Sequence, residues 1–188
     1  MSLNDREIRS ALLERLASLP YQPKALLEEV RVHNGNAIAD VVTVHSKLHC
    51  YEIKGESDVL RRILKQGSYY DQAFHKITLV TTENHLKIAR SLAPPHWGLM
   101  VATTNKTKKI SLRYERGATD SPWHNKQIAL LTLWRDELVS GLKDSSILKK
   151  KPSRQMLSDI LAKNINSDDL DLFIGEKLIG RLSEKRLL

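Results

Sequence analysis

Apolar positions recur every fourth residue at Ile8, Leu12 and Leu16, and Asn4 followed by Glu7 has the spacing of a reciprocal N-terminal cap. This pattern predicts a helix from about Leu3 to Ser18, stopped by Leu19-Pro20. Three segments of strand character follow: Leu26 to Val32, then Ala37 to His45 after the turn signal Asn34-Gly35-Asn36, then Leu48 to Lys54 after a very short connection. The period then changes. Gly55-Glu56-Ser57 opens a helix predicted from Asp58 to about Phe74, with Ser57 as its cap. Ile77 to Thr82 reads as a buried strand, and Glu83 to Leu92 as a helix ended by Pro94-Pro95. Gly98 to Thr103 and Ile110 to Tyr114 read as strands around the basic turn Asn105 to Lys109. The order α-β-β-β-α-β-α-β-β predicts an α/β fold, a mixed central sheet flanked by helices.

Beyond Pro122 the pattern turns helical. Ile128, Leu131, Trp134, Leu138 and Leu142 trace one apolar stripe, Lys149 to Pro152 forms a basic linker, and two shorter helices are predicted to start near Ser153 and Ser167. A boundary near residues 118 to 123 divides a core of residues 1–120 from a C-terminal helical extension, 121–188, expected to pack on that core.

Composition narrows the class. A chain of 188 residues, 41% apolar and 28% charged, has the balance of an ordinary globular domain and enough length to bury a core without staples. No apolar run approaches the roughly 20 residues of a membrane helix, and the charged N-terminus does not read as a signal peptide. The single cysteine, Cys50, allows no intrachain disulfide, which points to the cytoplasm. A net charge of +8 attracts polyanions, nucleic acid first among them.

The chemistry concentrates in Asp40 and in Glu52-Ile53-Lys54. Glu52 and Lys54 are two apart on a strand and share a face, with Leu48 and Cys50; Ile38, Asp40, Val42 and Val44 form the corresponding set on the preceding strand. An odd connection such as His45-Ser46-Lys47 puts both sets on one side, with Asp40 opposite Glu52, or opposite Lys54 if the loop is shifted by one residue, whereas a two-residue loop would turn Asp40 away. Two carboxylates converging on an apolar face suit Mg²⁺, a hard cation with oxygen ligands, and a neighbouring lysine could hold an attacking water or neutralise charge as a phosphodiester is cleaved. Gln66 falls inside the predicted stripe Val59-Ile63-Gln66-Tyr70-Phe74 and is expected near the same cluster, with Gly67 allowing close approach of the helix.

These residues, Asp40, Glu52-Ile53-Lys54 and Gln66-Gly67-Ser68-Tyr69-Tyr70, resemble the D…E-x-K…Q-x-x-x-Y signature of the PD-(D/E)XK nuclease superfamily in its RecB-like form. The resemblance covers roughly residues 3 to 115. The whole chain also resembles an uncharacterised bacterial family of short proteins of this type, including Pro95-His96-Trp97-Gly98-Leu99 and Leu133-Trp134-Arg135-Asp136-Glu137-Leu138. Superfamily membership implies Asp40, Glu52 and the Ile53 carbonyl as ligands of Mg²⁺ or Mn²⁺, with Glu29 as an additional upstream acid and Glu28 as its alternate. It implies Lys54 as the catalytic lysine, supported by Gln66 and Tyr70. Ala39 stands where the name-giving motif has proline.

The expected activity is therefore metal-dependent hydrolysis of DNA. The alternative is a catalytically silent nuclease-fold module that binds DNA or scaffolds a phage-related, repair or defence system, as a homodimer or with a partner protein. Arg61, Arg62 and Lys65, with Lys106, Lys108 and Lys109, are the expected phosphate contacts, and Lys149 to Lys151 form a third basic cluster. A helix-turn-helix reading of the last two helices is disfavoured, because Asp168-Asp169-Leu170-Asp171 would face phosphates with negative charge. The seven histidines show no ligand spacing, Cys50 reads as a buried small hydrophobe, and Trp97 is expected to pack.

Overall fold

The computed structural model describes residues 3–106 and 109–185. Its elements are α1 (Asp5–Ala17), β1 (Ala25–Val32), β2 (Ala37–Val44), β3 (Leu48–Ile53), α2 (Arg62–Ala73), β4 (Lys76–Thr82), α3 (Glu83–Leu92), β5 (Gly98–Thr104), β6 (Ile110–Arg116), α4 (Lys126–Leu130), α5 (Arg135–Ser140), α6 (Arg154–Asn164) and α7 (Ser167–Lys185). The strands form one sheet in the order β1-β2-β3-β4-β5-β6. β3, β4 and β5 are parallel to one another, and the remaining neighbours are antiparallel. This is the α/β class, a six-stranded mixed sheet flanked by helices, with a helical C-terminal region.

Each face of the sheet has its own apolar layer. α1 starts at the expected cap, where Asn4 Oδ1 accepts the Glu7 N–H at 3.0 Å and Glu7 Oε2 accepts the Asn4 N–H at 3.1 Å. Its buried Ile8, Leu12 and Leu16 pack with Val41, Tyr51, Ile53, Val80 and Met100. The opposite layer joins Val42, Val44, Cys50, Ile77 and Leu79 to Ile63, Tyr70 and Phe74 of the α2 region and to Leu157, Leu170 and Ile174 of the C-terminal helices. The C-terminal region therefore shares a core with the sheet. Among the described residues, no helix is long and apolar enough to cross a membrane.

Two helices differ from the periodic pattern. α2 begins at Arg62, not at Asp58, so Ser57 caps nothing and Val59 is 59% exposed. The preceding loop is held by other partners: the Gly55 N–H donates to Asp58 Oδ2 at 2.7 Å, the Glu56 N–H donates to the Leu3 carbonyl at 2.9 Å, and Leu60 is buried in place of Val59. The stripe from Ile128 to Leu142 is split into α4 and α5. The carbonyls of Leu131 and Leu133 accept from Arg154, and that of Thr132 accepts from Arg181, so the break leaves them satisfied. Trp134 is consequently out of the stripe, half exposed, with the Arg181 guanidinium 4.2 Å from its ring centroid.

A third difference bears on the site. Alternation changes phase within β1 and β2: Ala25 and Leu27, then Val30 and Val32, face the same layer, as do Ala37 and Ala39, then Val42 and Val44. The pairs Glu28↔Val41 and Val30↔Ala39 flank the position where Glu29 meets Asp40, and Glu29 has φ 54°, a left-handed conformation that turns the strand over. Ile38 therefore does not share the buried face of Val42 and Val44, and is 44% exposed.

Candidate active site

The carboxyl ends of β3, β4 and β5 lie at one edge of the sheet, the place where open α/β sheets gather ligands. Lys54 follows β3 at this edge. Its backbone is fixed by its N–H to the Val80 carbonyl at 2.8 Å and by Thr81 Oγ1, which donates to its carbonyl at 3.0 Å. The β2–β3 connection is the three-residue one, with Val44 paired to Leu48 and Val41 to Tyr51. Beyond that last pair the Asp40 side chain takes over, its Oδ2 accepting the Ile53 N–H at 2.7 Å. Because Asp40 sits at the phase change, its carboxylate lies at the rim between the two layers, and Oδ1 accepts from Arg9 of α1 at 3.0 Å.

Glu52 is 1% exposed. Its Oε1 accepts from Lys54 Nζ at 2.5 Å, while Oε2 is buried without a hydrogen-bond donor among the described residues. The Tyr70 hydroxyl beside this carboxylate donates to the Ile38 carbonyl at 2.7 Å. Burial, then the charge of Asp40, pushes the Glu52 carboxyl up to about 7 against the pull of Lys54. Burial also raises Asp40, opposed by the Ile53 N–H. Two carboxylates thus share a poorly solvated corner with one buried oxygen left over. A divalent cation fits such a donor set, since it would satisfy the oxygen and offset both charges.

Asp40, Glu52, Lys54 and Tyr70 therefore come together. Ile53 contributes its N–H to Asp40 and buries its side chain against α1. Gln66 donates to the Tyr70 hydroxyl at 3.5 Å, and its Oε1 is buried without a partner; it approaches the cluster through Tyr70 and not through a bond to Lys54 or Glu52. Glu29 does not join the carboxylate pair. Its side chain is 73% exposed and meets Arg9 at 3.5 Å, because the left-handed backbone at Glu29 turns it outward; Glu28 lies 3.8 Å from the same guanidinium. Arg61, Arg62 and Lys65 are exposed at the start of α2, and Lys106 and Lys109 are exposed in the β5–β6 turn. Both groups belong to the edge that holds Lys54, with β5 two strands from β3, roughly 10 Å. Lys108 lies outside the described residues.

Arg9 is the residue that sequence reasoning missed. Its guanidinium contacts Asp5 at 3.1 Å and Asp40 at 3.0 Å, besides Glu28 and Glu29. The only local signal is Asp5 four residues earlier, an ordinary helix-surface pair. The approach to Asp40 depends on how α1 lies across the sheet. Trp97 packs as expected: it is fully buried and donates Nε1–H to Asp71 Oδ1 at 2.7 Å. Gly67 is where the helix comes close, a Cβ there falling 3.2 Å from the Trp97 ring.

Against this geometry stand three likenesses. The family model described as bacteriophage P4 protein cII matches residues 1–184. Protein cII of Enterobacteria phage P4 is 22% identical over 180 residues, which are 95% of this chain and 68% of that protein. Among solved structures, the SPO1766 protein of unknown function from Silicibacter pomeroyi aligns with a TM-score of 0.47 at 15% identity, over 64% of this chain and 75% of that one.

Proposed function

The chain belongs to the bacteriophage P4 protein cII family, and for it we propose a metal-dependent nuclease activity that hydrolyses phosphodiester bonds in DNA. The observation that carries this reading is the meeting of Asp40, Glu52 and Lys54 at the carboxyl ends of the parallel strands, with Glu52 Oε2 buried and unpartnered. Asp40, Glu52 and the Ile53 carbonyl would hold Mg²⁺ or Mn²⁺, which when bound supplies charge neutralisation and polarises a phosphoryl oxygen. Lys54 places an ammonium beside Glu52, where it can orient an attacking water or neutralise charge developing on the phosphate. Tyr70 holds β2 by the Ile38 carbonyl, two residues before Asp40, and Gln66 supports Tyr70, so both are positioning residues. Arg61, Arg62, Lys65, Lys106, Lys108 and Lys109 would bind phosphates without reading sequence. The same reading places the protein in the cytoplasm with its DNA substrate.

The test is incubation with supercoiled, linear and single-stranded DNA, with Mg²⁺ or Mn²⁺ and with EDTA. Cleavage should need the metal and fall about 100-fold or more in Lys54→Ala, while DNA binding stays near wild type. Asp40→Ala should lose metal binding as well. Equal cutting by wild type and Lys54→Ala would assign the activity to a contaminant or another site.

One observation favours a second reading. Arg9 already places a cation 3.0 Å from Asp40, so a salt bridge could stand in for the metal and leave a silent nuclease-fold module that binds DNA. Under that reading every substrate stays uncut, yet DNA association persists and weakens steeply with salt.

A further inference from the structure

On the opposite side of the molecule's chemistry, three segments far apart in sequence bring potential ligands together. His75 sits between α2 and β4, His124 lies in the segment between β6 and α4, and Asp171 is on α7. Among the described residues, His75, His124 and Asp171 each offer one ligand atom, all within 4.8 Å of one another. Asp171 is 2% exposed, and its Oδ1 has no hydrogen-bond partner. His124 Nε2 is likewise buried and unpartnered. His75 Nδ1 comes within 2.6 Å of Asp171 Oδ2 without making an aligned hydrogen bond, and the two imidazoles stack with centroids 3.8 Å apart. Asp171 is buried and the two histidines are partly buried, and potential lone-pair donors that face one another there without aligned hydrogen bonds favour a positive charge among them.

The surroundings hold the three residues in place. The Ser121 N–H donates to the His75 carbonyl at 2.7 Å, the Ser121 hydroxyl to the Asp71 carbonyl at 2.8 Å, and the Asn125 N–H to the Gln72 carbonyl at 3.0 Å. These bonds lace the His124 segment onto the end of α2. Leu170 and Ile174, on either side of Asp171, are fully buried. Ligands about 2.0 Å from a tetrahedral zinc lie about 3.3 Å apart. Metal binding therefore opens the 2.6 Å His75–Asp171 contact and turns the stacked imidazoles until their lone pairs converge, which side-chain rotations within the 4.8 Å cluster supply.

We propose that His75, His124 and Asp171 form a transition-metal site, for Zn²⁺ or a similar divalent cation, that clips α7 to the sheet. Two imidazoles and one carboxylate are the donors of zinc and not of Mg²⁺, and a water completes the fourth position. The site is separate from the Asp40–Glu52 corner and does not depend on the nuclease reading. Bound there, the ion would join the last helix to the strand that starts at Lys76, in the middle of the fold.

Tag-free protein stripped with EDTA and titrated with Co²⁺ tests this directly. One equivalent should give the intense visible absorption of tetrahedral cobalt, Zn²⁺ should bleach it, and Zn²⁺ at 100 times its Kd should raise Tm by about 5–10 °C. His124→Gln and Asp171→Asn should weaken Co²⁺ binding at least tenfold, while Asp40→Asn and His49→Gln leave the spectrum intact. Far-UV circular dichroism establishes that each variant is folded, and the wild-type measurement decides even if a variant is not. No intense band and no rise in Tm for wild type would overturn the site, as would a band that survives both His124→Gln and Asp171→Asn.

Discussion

Arg9 determines how the acidic residues at the rim coexist. Four carboxylates approach its guanidinium, which is largely buried, and Asp40 is shared between it and the Ile53 N–H. Removing the guanidinium leaves Asp40 with one donor and Asp5, Glu28 and Glu29 facing it without compensation. Arg9→Ala should therefore cost about 1–3 kcal/mol in EDTA, measured by urea unfolding. If the corner takes a divalent cation, Mg²⁺ should restore much of that loss and bind the variant more tightly than wild type, since a competing charge is gone. Equal losses with and without Mg²⁺ would favour the salt bridge as the permanent occupant. His49 gives a second prediction at this scale. It is held by Thr78 Oγ1 at 2.8 Å and stacked on Tyr51, and burial, then Lys76, pushes its pKa down to about 3. The unfolded chain, with a histidine near 6.5, binds more protons than the folded one between about pH 6.5 and 3, so stability falls as pH drops through that window. Wild type should lose about 2 kcal/mol from this group between pH 8 and pH 5, and His49→Gln should lose correspondingly less.

Among the elements, α2 is set by its closest contact. Gly67→Ala would improve helix propensity by about 1 kcal/mol, yet the new Cβ meets a Trp97 ring held by full burial and by its bond to Asp71. Overpacking of this kind costs about 1–3 kcal/mol, so the net change should be a destabilisation of about 1 kcal/mol, read from the denaturation midpoint. A stabilised variant would mean that the ring can shift. The same helix shows where sequence reading stops. Short-range periodicity located the strands and α1, and the three-residue loop set the β2–β3 register, but parity fails at Asp40, where the alternation of β2 changes phase and the carboxylate lies at the rim. The start of α2 depends on Leu3, more than fifty residues earlier, accepting the Glu56 N–H, and the break between α4 and α5 depends on Arg154 and Arg181. Neither leaves a trace in the local pattern. The outward turn of Glu29 comes from one left-handed residue in a strand of otherwise ordinary composition, and so escaped notice too.

At the scale of the whole molecule, every strand pairs with its neighbour in the chain, from β1 to β6. No strand has to be threaded between two that are already paired, and the crossovers through α2 and α3 each close a short loop. Search time in folding grows with the sequence separation of native contacts. A sheet that can be zipped from either end thus has an accessible route despite its parallel centre. The C-terminal helices add the long-range part, since Leu170, Ile174 and Leu178 join a layer that begins at Ala25. The sheet can accordingly assemble as a nucleus before the helices dock, with the exposed face of Val42, Val44 and Cys50 as the surface most prone to sticking in the interval.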